Sequence, residues 1–172
     1  MSEVLELEEV EKAYIAGLFD GEGSTLVTFS PSPKPTQKGL KNFPNCRVQF
    51  IITITKEQVL TWILNIFGKG RIYHQKSEHH RDMYRFVVHT PPDVKEIVEL
   101  VKPYARIKLE QLKNLGEAAE LILNLRGTGK RVRWTEKAQR EFIGLAKKCR
   151  ALRGSSGGPK GRPRKRSEVA TL

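Results

Sequence analysis

The sequence predicts a mixed α+β domain with antiparallel strands, followed by a short tail. Five segments carry apolar residues at helical spacing, and four shorter segments are rich in β-branched residues. With 172 residues, of which 38% are hydrophobic, the chain is long enough for one well-buried domain and too short for two. We therefore expect one domain over residues 1–152 and a flexible basic tail over residues 153–172.

The first elements are predicted as a helix and two strands. Apolar residues at helical spacing indicate a helix over Glu3–Phe19, and acidic residues fill its first turns, where the helix dipole favours them. Two glycines in Asp20–Gly23 end it. β-forming residues predict strands over Thr25–Phe29 and Arg47–Thr55. The segment between the strands is rich in proline and lysine and contains no acid, which favours a loop.

The remaining elements continue the alternation. Thr55 is predicted to cap a helix that ends near Phe67. Two strands, Arg71–Gln75 and Met83–Thr90, are joined by a polar turn. Three helices follow, over Val94–Tyr104, Lys108–Leu125 and Thr135–Leu152. Runs of strands beside runs of helices are typical of the α+β class.

The charge distribution points to a polyanionic partner. The net charge is +12, yet residues 1–23 hold seven acids and one base. Residues 24–90 hold ten bases and three acids, and residues 147–172 hold nine bases and one acid. Clustered lysine and arginine gain affinity for nucleic acid by releasing its condensed counterions. Nucleic acid is therefore the expected partner.

Composition also argues against secretion and membrane insertion. No apolar run approaches the roughly 18 residues that a membrane span needs. The acidic N-terminus has the wrong sign for a signal or transit peptide. The two cysteines, Cys46 and Cys149, form no CxxC pair, so a disulfide or structural zinc framework is not expected. These features predict a cytoplasmic protein with no membrane partner and no small-molecule cofactor.

Two small residues in the segment YIAGLFDGEGS, Tyr14–Ser24, suggest a contact surface on the first helix. Ala16 and Gly17 lie side by side there. Glycine inside a helix costs on the order of 1 kcal/mol relative to alanine. It is usually found where another backbone must approach closely.

Two acids at the end of the same helix suggest a cation site. Asp20 and Glu22 bracket Gly21, at the end where the helix dipole disfavours negative charge unless a cation offsets it. Carboxylate and carbonyl oxygens are the ligands that Mg²⁺ prefers. From the residues alone, a core helix with a glycine-rich end and two solvated acids fits equally well.

The stretch Ile15–Gly23, IAGLFDGEG followed by Ser24, resembles the signature helix of the LAGLIDADG homing endonucleases. The order of elements after it also fits that family, so the resemblance covers roughly residues 5–125. It implies the αββαββα homing-endonuclease fold with an antiparallel DNA-binding sheet, here with an extra C-terminal helix and basic tail. It also implies a site-specific double-strand DNA endonuclease.

The resemblance implies metal-assisted phosphodiester hydrolysis. Glu22, the last acid of the motif, is expected to bind Mg²⁺ or another divalent cation such as Mn²⁺, together with the carbonyl of Gly21. Glutamate stands where aspartate is commoner in the family, which lengthens the reach; Asp20 is expected to be mainly structural. Lys108 matches a basic residue near the scissile phosphate, and Lys56 matches a residue that positions solvent. Either lysine is otherwise an ordinary solvated charge.

A single motif implies a homodimer. Family members with one motif pair their signature helices across a two-fold axis, so Ala16 and Gly17 are expected at that interface. A symmetric dimer is expected to recognise a long pseudo-palindromic site. Genes of this family usually lie in introns or inteins.

The resemblance also places an antiparallel sheet in the DNA major groove, with alternate side chains reaching base edges. Lysines of the long loop are expected to contact phosphates instead. An alternative for every one of these residues is an ordinary solvent-facing surface. The strand residues expected to contact DNA are Thr28, Ser30, Arg47, Gln49, Thr53, Arg71, Tyr73, Gln75 and Arg85. The loop residues are Lys34, Lys38 and Lys41.

Two other features carry weaker signals. His79 and His80 lack the spacing of a zinc site and are interpreted as surface or phosphate-contact residues. The tail segment Pro159–Arg166 contains Gly-Arg-Pro between bases, similar to the core of an AT-hook. A flexible basic tail without sequence preference fits it better.

The alternative function is a non-catalytic DNA- or RNA-binding member of the same family, an intron maturase or a transcription regulator. Retention of Glu22 argues against it, because a protein that has lost cleavage usually also loses that acid.

Overall fold

A computed structural model of the protein describes residues 8–30, 44–76, 81–126, 132 and 134–154. Helix α1 spans Glu9–Glu22 and leads directly into the first strand. The strands are β1 (Gly23–Ser30), β2 (Asn45–Ile54), β3 (Arg71–Gln75) and β4 (Met83–Val88). The other helices are α2 (Glu57–Phe67), α3 (Pro91–Val101), α4 (Leu109–Arg126) and α5 (Glu136–Gly154). The predicted mixed α+β fold with antiparallel strands is confirmed.

The four strands form one antiparallel sheet in the order β1-β2-β4-β3. Because side chains alternate between the two faces of a strand, the register sorts every residue to one side. Val27 pairs with Val48, and Phe86 pairs with both Ile52 and Ile72. These residues therefore share the inner face, which the helices cover.

The core lies between this inner face and the helices. Phe19 of α1 stacks on Phe50 of β2, with ring centroids 4.6 Å apart. Helix α5 packs on β1, where the fully buried Phe142 contacts Phe29. Buried Asn114 of α4 donates a hydrogen bond from its side-chain amide to the carbonyl of Leu145, which ties α4 to α5.

Several boundaries differ from the sequence prediction by one to three residues; α3, for example, spans Pro91–Val101 where Val94–Tyr104 was predicted. Two of the differences lie beside the candidate site. Helix α1 continues through Asp20 and Gly21 to Glu22, because Gly23 still donates its N–H to the carbonyl of Phe19. Thr55 does not cap α2. The residue before the helix is Lys56, in extended conformation, and no side-chain cap bond forms there.

The domain boundary stays a prediction. Helix α5 runs to Gly154, and the tail beyond it lies outside the described residues, as do the long loop and its Lys34, Lys38 and Lys41. Within the described residues, none of the helices is long and apolar enough to cross a membrane.

Gly23 is required by the junction between α1 and β1. A Cβ atom at this position would lie 2.2 Å from Cδ2 of Phe19 and 2.5 Å from its carbonyl oxygen. Real Cβ atoms do not approach so closely, and Phe19 is fixed in the core against Phe50. The last glycine of the motif is thus explained within one protomer.

We therefore expect Gly23→Ala to destabilise the fold by about 1–3 kcal/mol, because the new methyl group displaces a core ring and a backbone carbonyl. Urea unfolding measures the difference. Gly144→Ala on α5 is the matched control, since nothing lies within 4 Å of its added Cβ. That variant should be stabilised by up to about 1 kcal/mol. Equal stability of the two variants would contradict the packing argument.

Candidate metal site and nucleic-acid interface

Asp20 ties the end of α1 to the start of α4. Its Oδ2 atom accepts hydrogen bonds from the backbone N–H groups of Arg106 (2.6 Å) and Ile107 (3.0 Å), and Oδ1 accepts one from Lys108 (2.9 Å). Burial raises the pKa of Asp20, but these three hydrogen bonds and the charge of Lys108 outweigh it and hold the pKa below its ordinary 3.8. A carboxylate with both oxygens engaged in this way has a structural role, as predicted.

The Lys108 ammonium group lies over the C-terminal end of α1. Nζ donates hydrogen bonds to the carbonyl oxygens of Gly23 (2.7 Å), Gly21 (3.1 Å) and Phe19 (3.3 Å). Burial lowers the pKa of Lys108, while the charges of Asp20 and Glu22 act in the opposite direction. A cation at a helix C-terminus is favourable, because it offsets the partial negative charge of the last carbonyls.

Glu22 and Gly21 are exposed beside this ammonium group. One carboxylate and one carbonyl are hard oxygen ligands that suit Mg²⁺. Within the described residues there is no group of three histidine, cysteine or acidic side chains that could hold a metal. One protomer therefore supplies only part of a coordination sphere, so the remaining ligands must be water, nucleic acid or a second protomer.

Lys56 lies at the same end of the sheet. Gly23, at the start of β1, pairs with Ile52 near the end of β2, so the residues after Ile54 lie where α1 ends. Lys56 is exposed there and immediately precedes α2. Its solvent-positioning role remains a prediction.

The outer face of the sheet carries all the predicted strand residues. The register places Thr28 opposite Arg47, and it places Arg85 between Thr53 and Tyr73. Alternation puts the others on this same face, opposite the inner face that the helices cover. The remaining members of this set are Ser30, Gln49, Arg71 and Gln75.

A groove of about 590 Å³ runs across this outer face. Three arginines, Arg47, Arg71 and Arg85, are among its described lining residues, and none of those residues is acidic. Nε of Arg85 is buried and has no hydrogen-bond partner among the described residues. Buried polar groups are normally paired, so this donor suits an acceptor supplied by a ligand.

Histidines do not form a metal site in the described part of the chain. His74 hydrogen-bonds through Nε2 to Asp82 (2.7 Å) and stacks on Tyr84, with ring centroids 4.7 Å apart. His79 and His80 lie outside the described residues.

The exposed face of α1 differs in part from the one predicted. Ala16 is 0% exposed and belongs to the buried core of the protomer. It therefore has no surface to offer a second protomer, and that part of the predicted interface is wrong. Gly17 is exposed, with nothing within 4 Å of a Cβ atom built on it.

Helical spacing from Gly17 identifies the residues that sequence reasoning missed. Val10, Ala13 and Tyr14 precede it on the same face, and Gly21 follows it. Val10 is 76% exposed and Tyr14 is 52% exposed. We call this set the outer face of α1. Counting back from Gly17 in steps of three and four would have found it from the sequence.

The arrangement of sheet and helices is that of the homing endonucleases. The homing endonuclease I-CvuI, in complex with the I-CreI target in the presence of Mg, is 20% identical over 88% of this chain and 86% of that chain, with a TM-score of 0.65. The archaeal intron-encoded homing endonuclease I-Vdi141I, complexed with DNA, is 20% identical over 85% of this chain and 86% of that chain, with a TM-score of 0.66. At such identity these similarities establish the shared fold.

A family model described as LAGLIDADG endonuclease matches residues 15–116. That match spans more than half of the chain, so the protein belongs to the LAGLIDADG endonuclease family. The homing endonuclease I-LtrWI, bound to target DNA, is 20% identical over 84% of this chain but only 45% of that chain, with a TM-score of 0.62. None of the curated proteins matches the chain.

We expect Asp20→Ala to lower the free energy of unfolding by about 1–2 kcal/mol at neutral pH. The three backbone N–H groups would lose their hydrogen bonds to the carboxylate and would be left to bind water. The pKa of Asp20 is lowered in the folded state, so its contribution is present above the ordinary 3.8 and is lost as the pH falls through the folded value. The difference from wild type should therefore shrink below pH 3.8. Urea unfolding across this range measures it.

The control for this prediction is Glu136→Ala on α5. Glu136 pairs with Arg140 one turn away, and its side chain is 88% exposed. Exposed pairs of this kind contribute little, so stability should hardly change at any pH. If the Asp20 variant behaved in the same way, its carboxylate would not hold α4 in place.

Proposed function

We propose that this protein is a site-specific double-strand DNA endonuclease that acts as a homodimer and hydrolyses phosphodiester bonds with a divalent cation. One observation carries this proposal. The exposed acid Glu22 ends a helix whose outer face carries exposed apolar residues, at the end of the sheet where the basic groove begins. Thr53, Arg85 and Tyr73 form a row across that end, one residue beyond the Ile52–Gly23 pair.

The metal site consists of Glu22 and the carbonyl of Gly21 in each protomer. Mg²⁺ or Mn²⁺ bound there would polarise the phosphate and lower the pKa of a bound water. The structurally similar I-CvuI was crystallised with DNA in the presence of Mg, with the DNA not cleaved, and with its target in the presence of Ca; both structures support a divalent cation here. Glutamate has one methylene more than aspartate, so its carboxylate reaches further from the end of α1.

The homodimer is supported by the outer face of α1. Val10 and Tyr14 border an apolar groove completed by Val59 and Trp62 of α2. Exposed apolar area of this kind marks a contact surface. Gly17 and Gly21 have no packing reason within the protomer, since nothing lies within 4 Å of an added Cβ. Glycines there permit close approach of the same helix from a second copy.

The ratio of chain lengths supports the same assembly. This chain covers less than half of I-LtrWI, a chain bound to its target DNA. Two copies of this chain would match such a protein in size. The target of a symmetric pair is then a pseudo-palindromic sequence.

Binding to DNA is assigned to the outer face of the sheet. Arginine can pair with guanine and glutamine with adenine in the major groove, and Arg47, Arg85 and Gln49 lie in the groove there. The absence of acids among its described lining residues avoids repulsion of the phosphates.

We expect Glu22→Gln to abolish cleavage while changing DNA affinity by less than about threefold, because affinity comes from the sheet and not from this carboxylate. Cleavage is measured with Mg²⁺ on a plasmid library of randomised sites, which also yields the target sequence. Retained binding is measured by gel shift on the selected site.

Glu117→Gln on α4 is the matched control, since Glu117 is exposed and lies outside the site. It should cleave like the wild type. Wild-type protein that binds DNA of the library tightly but never nicks it with Mg²⁺ or Mn²⁺ would contradict the proposed nuclease activity and favour a non-catalytic maturase or regulator.

We expect Gly17→Leu to weaken dimerisation on the order of 100-fold, because a bulky side chain is introduced twice at a two-fold contact. The protomer should stay folded, since the position has free space around it. Sedimentation velocity measures the dimer fraction, and circular dichroism checks the fold. Gly144→Leu, at an equally open position on α5, should leave the dimer intact. A dimer that tolerates Gly17→Leu would exclude this face of α1 as the interface.

A further inference from the structure

All three donors of the Lys108 ammonium group are already in use. A lysine ammonium has three N–H groups and no acceptor. Nζ of Lys108 meets the carbonyl oxygens of Phe19, Gly21 and Gly23 at 2.7–3.3 Å. In this conformation Lys108 has no donor left for a phosphate oxygen, although it was predicted to act beside the scissile phosphate.

One of these acceptors is the carbonyl of Gly21, which the proposed metal site also needs. A divalent ion bound to that oxygen lies about 2 Å from it, while Nζ lies 3.1 Å away from the same atom. The two cations are then no more than about 5 Å apart. A single and a double positive charge at that separation repel each other, even where water screens them.

The surroundings of the ammonium group do not remove this conflict. Its negative neighbours are Asp20 and Glu22. Asp20 is fully engaged by the backbone of α4, and Glu22 is the carboxylate that the metal would take. Once Glu22 is shared with a divalent ion, less negative charge is left to hold Lys108 where it is.

We propose that the Lys108 ammonium group is the cation bound at this site in the absence of metal. It stays hydrogen-bonded to the Gly21 carbonyl until a divalent ion binds there, and only then can its N–H groups donate to a phosphate oxygen. This rests on the proposed metal site at Glu22 and Gly21. It makes Lys108 a positioning residue in the unloaded protein: it offsets the charge at the end of α1 and keeps the ligands from binding a divalent ion too early. Loading of the site and release of the lysine then become one event.

The first test measures Mn²⁺ binding without DNA, by the loss of the free-ion electron paramagnetic resonance signal. Lys108→Met removes the charge and the three hydrogen bonds while keeping an unbranched side chain. We expect it to bind Mn²⁺ about tenfold or more tightly than wild type, because the repulsion is gone and the Gly21 carbonyl is open. A lysine that only stabilised α1 would give the opposite result, since its loss would loosen the ligands.

Lys113→Met on the same helix is the matched control. Lys113 pairs with Glu110, away from the site. Because both variants replace a lysine by methionine, they have the same net charge. It should bind Mn²⁺ as the wild type does. Adding Glu22→Gln to Lys108→Met should abolish the gain. Affinity in Lys108→Met equal to that of Lys113→Met, including no detectable binding by either, would overturn the proposal.

A second measurement uses the wild-type protein, in case Lys108→Met does not fold. Lysines are labelled with an acylating reagent, with and without Mg²⁺, and quantified by mass spectrometry. Labelling of Lys108 should rise several-fold with Mg²⁺, while labelling of Lys113 stays constant. Unchanged or reduced labelling of Lys108 would refute its release.

The outcomes separate this inference from the proposed function. Binding of Mn²⁺ that depends on Glu22 but not on Lys108 leaves the metal site standing and removes only the resident cation. Binding that does not depend on Glu22 removes the metal site itself. Cleavage of DNA by the wild type is a separate observation, and neither result of the Lys108 test decides it.

Discussion

The candidate site depends on the hydrogen bonds that two charged side chains form between the end of α1 and the turn before α4. Asp20 accepts hydrogen bonds from the backbone N–H groups of that turn. Lys108 donates hydrogen bonds to the carbonyl oxygens at the end of α1. The carboxylate satisfies donors at a helix start, and the ammonium satisfies acceptors at a helix end. Glu22 is consequently the acid of this motif left free for a ligand.

Helix α1 has two faces with different physical requirements. Its inner face is closed by Ile15, Ala16 and Phe19, all fully buried, and Gly23 lets the chain turn under the Phe19 ring. Its outer face consists of apolar side chains and of two glycines, which leave the helix backbone uncovered. Exposed apolar area of this kind supports the proposed homodimer.

The sheet joins this helix end to the basic groove through its register. One inward set of residues forms the core with the helices, and the alternate set, which contains the three groove arginines, lies on the other side. The row formed by Thr53, Arg85 and Tyr73 lies at the end of the sheet where α1 leads into β1. The proposed DNA contacts and the proposed metal ligand are thereby fixed to one rigid frame.

The sequence by itself determined the class of fold, the order of its elements, the family, and the alternation that places Arg47 and Arg85 on one open face. These follow from local periodicity and from a motif formed by consecutive residues of the chain. It did not separate Ala16 from Gly17, because adjacent residues on a helix point about 100° apart and only the position of the sheet decides which is inside. Nor did it show that Lys108 binds the Gly21 carbonyl. That contact joins residues far apart in the chain, and the hydrogen bonds between the turn before α4 and the end of α1 bring them together.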